Sequence, residues 1–315
     1  MTPSAFARPG RTGAGIVLLS SVLTLGACQE PDRLGPTPDA SDLAVTAAPP
    51  VGIMFGSAQL PVSLLSSVHT GLIRPTEPGT LLSYLRDVKA KGGRVLLKLH
   101  GAESSFRNSD GTFNVTLWKS RVSRYRTVNF NAYITDGTVV GHYILDEPNY
   151  PSRWGGKAVP QATVEEMAKY SKQLWPNLAT IVNAPPAWLA SSSMTYTGLD
   201  AAWAMFMAEK SGTPTVWAAK QVELAKRKRL GLWSGLNVLD GGNGSSGVRG
   251  TVPRGWNMSA AELRSYGSAL LGQSYVCGFS MWMYKDTYYN KADIKTAMAE
   301  LSARASGHAK TSCRQ

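Results

Sequence analysis

Residues 138–148 read TVVGHYILDEP. A glycine sits in a run of strand-forming residues, and the run stops at two adjacent carboxylates and a proline. The next clear helical pattern begins some fifteen residues later, so neither acid has a helix start to cap. The stretch reads as a strand that delivers Asp146 and Glu147 to its C-terminal end. Strict alternation puts Gly141, Tyr143, Leu145 and Glu147 on one face and Val140, His142, Ile144 and Asp146 on the other. On that pattern Glu147 points inward on an otherwise apolar face, and Asp146 flanks it.

Further apolar runs of the same kind occur at 51–57, 67–73, 94–100, 178–184, 199–207, 230–238 and 276–284. The run at 199–207 is compatible with helix as well as strand. Between the runs lie amphipathic patterns. Leu81, Leu82, Leu85, Val88 and Lys89 mark one helix face, and Trp118, Val122 and Tyr125 mark another. Residues 163–175 start with Thr163 and carry Glu166 three later, the spacing of a capping box. Residues 214–228, 259–271 and 290–305 complete the set. Strand and helix alternate eight times, which predicts an α/β fold of the (β/α)8 barrel type. An open doubly wound sheet is the alternative. No G-x-G-x-x-G turn follows the first strand, and no phosphate-binding G-x-x-x-x-G-K-[ST] loop is present. GGNGSSG at 241–247 lacks the lysine of such a loop and reads as a mobile connection.

The barrel occupies 51–315. Residues 1–27 have a basic start with Arg8 and Arg11, then an apolar run at 14–25 too short to span a bilayer comfortably, as in an exported leader. Leu25-Gly26-Ala27-Cys28 resembles the lipobox of bacterial lipoproteins. That resemblance implies cleavage before Cys28, its lipidation, and a place at the cell envelope, in the outer membrane or facing the periplasm. Residues 28–50, rich in Pro, Ala, Asp and Thr, read as a flexible tether.

Cys277 and Cys313 remain. In a barrel, Cys277 begins the last strand and Cys313 follows the last helix, so both belong at the bottom face and are expected to pair. The net charge of +12 has its densest cluster at Lys226, Arg227, Lys228 and Arg229. No aromatic interleaving or nucleic-acid module accompanies the cluster, so it reads as a solvated helix end. No nucleic-acid partner is expected, and the domain is expected to be monomeric.

Barrel active sites lie at the C-terminal strand ends. Here those ends carry Ser57, His100, Asp146, Glu147, Asn183, Trp203, Asn237 with Asp240, and Trp282 with Tyr284. Glu147 buried under the mouth, with Asp146 beside it, is suited to general acid work. His100, Asn183 and Asn237 are candidates to hydrogen-bond a ligand, and the two asparagines read equally as strand-end turn residues. Trp282 and Tyr284 are candidates to stack on a ligand ring, with core packing the other reading. Trp154 and Trp256, in polar loops, read as exposed ligand platforms, whereas Trp203 and Trp233 read as core. His100, Glu147 and Asp240 are the set a metal would need, but no H-x-H or H-E-x-x-H spacing supports one, so neither metal nor cofactor is expected. No G-x-S-x-G elbow is present.

YILDEP at 143–148 resembles the strand-four Asn-Glu-Pro motif of the large clan of (β/α)8 retaining glycoside hydrolases. It is similar to the Asp-Glu-Pro variant of glycoside-hydrolase-like exported bacterial proteins. GLNVLDGG at 235–242 and GFSMWMY at 278–284 resemble the same group. The resemblance implies Glu147 as acid/base and a glutamate nucleophile ending strand seven. That position holds Asn237, and Asp240 is the nearest carboxylate. The separation of Glu147 and Asp240 would then distinguish inverting from retaining chemistry. A third arrangement uses Asp146 to orient a substrate N-acetyl group, as in substrate-assisted hexosaminidases. The expectation is a glycoside hydrolase at the cell envelope with Glu147 as general acid and Asp240 or Asp146 as second carboxylate. The competing readings are a non-catalytic glycan-binding barrel and a metal-dependent hydrolase.

Overall fold

The computed structural model describes residues 51–310 and 312–314. The expected leader, Cys28 and the 28–50 tether lie outside them. Strands β1 (Phe55–Ala58), β2 (Gly71–Pro75), β3 (Arg94–Lys98), β4 (Val139–Asp146), β5 (Thr180–Asn183), β6 (Ala201–Phe206), β7 (Gly231–Asn237) and β8 (Val276–Trp282) pair in sequence order. Every pairing is parallel, and β8 closes on β1. The α/β class and the (β/α)8 barrel are as the sequence predicts. Helices α1 (Leu81–Ala90), α2 (Val115–Ser123), α3 (Asn131–Thr135), α4 (Gln161–Leu174), α5 (Pro186–Ala190), α6 (Ala208–Ser211), α7 (Pro214–Arg227), α8 (Ala260–Leu271), α9 (Asp286–Tyr289) and α10 (Ala292–Ser306) lie in the connections. The ambiguous run at 199–207 is strand β6. Its residues from Ala201 to Phe206 pair one for one with β7, a tertiary demand that overrides the local ambiguity.

Large rings fill the barrel interior. Tyr143 packs on Trp203 with ring centroids 5.5 Å apart, and Trp203 on Trp233 at 6.3 Å. Neighbouring strands make room with glycine. A Cβ on Gly278 would lie 2.3 Å from the Trp233 ring, and one on Gly235 2.9 Å from the Trp203 indole nitrogen. Large and small residues thus interdigitate across strands at interior density.

Helix α4 begins at Gln161 with Pro160 at its N-cap, so Thr163 lies inside the first turn and is not the cap. Glu166 instead reaches Lys119 of α2 at 2.7 Å. The reciprocal capping box belongs to Ser259 and Glu262 at the start of α8. At the opposite end of the barrel from the strand C-termini, Cys277 and Cys313 form a disulfide, Cα to Cα 5.0 Å. The chain enters β1 at this same end, where Ile53 N–H donates to the Ala305 carbonyl.

Candidate active site at the mouth of the barrel

Asp146, Glu147, Arg153, Asn183, Met205, Asn237 and Trp282 surround a cavity of about 120 Å³. They come from the C-terminal ends of β4 through β8 and the loop after β4. This is smaller than the roughly 300 Å³ of an ordinary small-molecule pocket.

Strand β4 does not alternate strictly. Tyr143 pairs with Ile181 and Leu145 with Val182, leaving Ile144 as an extra residue. This bulge reverses the facing of the residues after it. Ile144 and Leu145 both pack outward against the helices, and Asp146 returns to the interior side with Tyr143. The expected facing is therefore corrected: Asp146 is the inward acid, and Glu147 stands one residue beyond the strand. Glu147 adopts φ +46°, a conformation uncommon for a residue with a side chain. Its N–H donates to the Asn183 carbonyl at 2.9 Å, and its carbonyl accepts from Trp154 Nε1 at 3.0 Å. Held on both sides, the backbone aims the carboxyl over the pocket.

The two acids differ in surroundings. The Asp146 side chain is 4% exposed and accepts from three donors. Tyr143 Oη and Asn183 Nδ2 reach Oδ1 at 2.6 and 2.7 Å, and Arg153 Nη2 reaches Oδ2 at 2.6 Å. The Glu147 side chain is 41% exposed and meets Arg153 Nη1 at 2.8 Å. Burial raises the Glu147 pKa above the usual glutamate value, and the charge of Asp146 raises it further; Arg153 opposes both without cancelling them. Burial and then Asp146 likewise hold the Tyr143 hydroxyl well above its usual range. Arg153 also grips Glu103, at 2.6 Å from Nη2 and 3.2 Å from Nε. Burial alone would lower its pKa, but Glu103, Asp146 and Glu147 together raise it.

The structure brings Asp146, Glu147, Asn183, Asn237 and Trp282 together. It does not bring in the other candidates. Asp240 is turned into its own loop, with Oδ1 accepting from the N–H groups of Thr251 and Val252 at 2.5 and 2.9 Å and Oδ2 from the Thr251 hydroxyl at 2.6 Å. It is a loop anchor, not the second carboxylate. His100 is fully buried between Phe106 and Trp118, with Nδ1 on the Gly101 carbonyl, and does not line the cavity. Tyr284 stacks on Tyr289 at 5.0 Å and donates to Asp286, outside the pocket. Trp154 is fully buried and so is no exposed platform; it works on the Glu147 carbonyl. Trp256 is half-buried, with the Arg249 guanidinium 3.7 Å above its ring. The 241–247 segment is pinned, with Asn243 N–H on Glu262 Oε1 at 2.6 Å and Gly242 N–H on the Trp256 carbonyl. Among the described residues no group of three or more His, Cys, Asp or Glu side chains is placed to hold a metal ion.

Sequence reading missed Arg153 and Glu103. A cation six residues after an acid pair, within one strand-to-helix loop, was the available signal for Arg153. Glu103 carries none, because it arrives from the loop after β3.

No protein-family model and no curated protein matches the chain. Solved structures do. A cellulase–inhibitor complex superposes with a TM-score of 0.54 at 10% identity, covering 82% of this chain and 93% of that one. A GH2 β-galacturonidase from Eisenbergiella tayi gives 0.53 at 9% identity over 83% of this chain, which spans about half (52%) of that enzyme. Gas2p from Saccharomyces cerevisiae, solved with laminaritetraose and laminaripentaose, gives 0.51 at 13% identity, covering 86% of this chain and 68% of that one. The chain thus has the barrel fold found in glycoside hydrolases. Identities this low speak for the fold and leave function to the pocket.

Proposed function

We propose that the domain acts on a carbohydrate as a glycoside hydrolase with Glu147 as general acid. One observation carries the reading: the Glu147 carboxyl is open to the pocket while burial and Asp146 raise its pKa. An acid that keeps its proton toward neutral pH is what a departing glycosidic oxygen needs. Asn237 stands where the clan has its nucleophile, so β7 supplies none. The second carboxylate in this reading is Asp146, beside Glu147 rather than across the pocket. Three donors occupy it, and a carboxylate has room for about four. The remaining position suits a substrate N–H such as that of an acetamido group. The acetamido oxygen then attacks C1 as the glycosidic C–O bond breaks and Glu147 gives its proton to the leaving oxygen. Glu147, now a carboxylate, takes a proton from the water that opens the ring.

A second reading, a non-catalytic glycan-binding barrel, draws support from Asn237 and from the 2.8 Å ion pair between Arg153 and Glu147. Glu147→Gln separates the two on a panel that includes N-acetylated oligosaccharides. In the enzyme, hydrolysis falls by roughly 10²- to 10⁴-fold and binding persists. If the wild type binds glycans and cleaves none, the binding reading stands instead. Activity is expected to survive a chelator, and loss on chelation would favour the metal-dependent alternative. A lipid anchor at Cys28 and a cell-envelope location belong to the same proposal. Its test is detergent-phase partitioning of the full chain, which Cys28→Ser should abolish.

A further inference from the structure

A second cavity, of about 350 Å³, opens beside the first, between the loops that follow β6 and β7. Glu209, Gly242, Asn243, Arg249, Arg254 and Trp256 line it. We propose that it is a subsite for an acidic sugar residue, whose carboxylate pairs with Arg249 and Arg254. The proposal rests on the carbohydrate reading of the neighbouring pocket.

Both guanidiniums are exposed, and neither has an ion pair or a hydrogen bond among the described residues. The Arg249 guanidinium sits over the Trp256 indole, with its Cζ 3.7 Å from the ring centroid. The ring therefore serves as a bed for the guanidinium and not as a sugar platform. A guanidinium held this way loses little freedom when its planar fork meets a carboxylate with two parallel hydrogen bonds.

The loop that carries it is built, not loose. Asp240 ties down Thr251 and Val252, midway between the two arginines. Gly250 and Gly255 pack on that carboxylate, where a Cβ would come within 2.3 and 2.7 Å of Oδ1. Arg249 and Trp256 form an antiparallel bridge, and Asn257 N–H donates to the Val248 carbonyl. Asp240 thereby becomes a positioning residue for Arg249 and Arg254. Glu209 stands in the same cavity, where its carboxylate suits a sugar hydroxyl, and the lining still carries two positive charges against one negative.

The two cavities are adjacent along the barrel rim. Strand β6 leads from Met205 at the first to Ala208 at the second, and β7 from Asn237 to Gly242. Three residues of extended chain span at most about 10 Å, so a ligand of two or three sugar units reaches both. The second cavity falls within the usual ligand-pocket range of roughly 300–1,000 Å³. The excess of positive charge over the whole chain, +12, also favours an acidic polymer.

The test uses calorimetric binding of oligosaccharides in which a hexuronic acid alternates with an N-acetylated hexosamine, each against its own methyl ester, which keeps the backbone and the acetamido group and removes the charge. The full chain should bind at least one acid form roughly ten- to hundredfold more tightly than its ester. The double variant Arg249→Ser/Arg254→Ser should lose that preference, so that acid and ester bind alike. Asp240→Asn should weaken the preference in a protein whose circular dichroism matches wild type. Raising salt from about 50 to about 500 mM should narrow the gap between acid and ester. Equal binding of acid and ester, or a preference that the double variant keeps, overturns the proposal. Binding or cleavage of neutral glycans alone also overturns it and leaves the carbohydrate reading in place. Failure to bind any glycan removes that reading and this one together.

Discussion

Asp146 and Glu147 are neighbours in the chain with opposite surroundings, and the difference comes from one extra residue in β4. Asp146 is sealed by Tyr143, Asn183 and Arg153, while Glu147 stays open to the pocket. A general acid works while protonated, so activity should fall as pH rises through the Glu147 pKa, and its upward shift extends activity toward neutral pH. Asp146→Asn removes the like charge and should move this basic limb to lower pH; the pH dependence of kcat/KM reads the shift. A limb that does not move would mean that another group donates the proton. Arg153→Met removes the opposing cation and should move the limb the other way. It also leaves Asp146 buried without its cation, at a cost of about 3 kcal/mol measurable by denaturant unfolding. The sequence named both acids, Asn183, Asn237 and Trp282. Periodicity assigned the two acids to the wrong faces, because a bulge leaves no mark in a count of two.

At the scale of elements, strand positions were legible because a parallel strand buried on both faces must be a short continuous apolar run. Element ends were less so. With Pro160 as its N-cap, α4 starts at Gln161, ahead of the polar signal at Thr163, while Ser259 caps α8 with Glu262. Ser259→Ala should cost about 1 kcal/mol in unfolding free energy. The closure of β1 on β2 is tighter: a Cβ on Gly56 would lie 1.6 Å from the Gly71 carbonyl oxygen. Gly56→Ala should cost about 3 kcal/mol, and a thermal midpoint near wild type would contradict this register. Asp240 shows the same limit from the site side. Its carboxylate follows a strand end by three residues, as a catalytic one might, yet it folds back on Thr251 and Val252.

Within the barrel the candidate site and the staple lie at opposite ends. The bond between Cys277 and Cys313 spans 36 residues, and chain entropy gives its loss a cost of about 3–4 kcal/mol. The double serine variant should melt lower while its activity per folded molecule stays unchanged. Three histidines weaken the fold in acid. Burial lowers His69 to about 4 and His142 to about 3 and keeps His100 well below its usual 6.5. The unfolded chain takes up these protons near 6.5, so stability present above that pH is lost as pH falls toward the folded values. The loss is at most about 1.4 kcal/mol per pH unit for each histidine. Denaturant midpoints at pH 7 and pH 5 should differ accordingly, and equal midpoints would rule the effect out. The alternation of buried strands and amphipathic helices by itself determined the α/β class and its eight strand–helix units, and it placed Asp146 and Glu147 at a strand C-terminal end, while the pairing of β8 with β1 is what closes the sheet. Only the tertiary structure decided which acid faces inward, that Arg153 and Glu103 join them, and that Asp240 and His100 do not. Those outcomes depend on a bulge and on meetings between loops far apart in the chain, and neither is written in local periodicity.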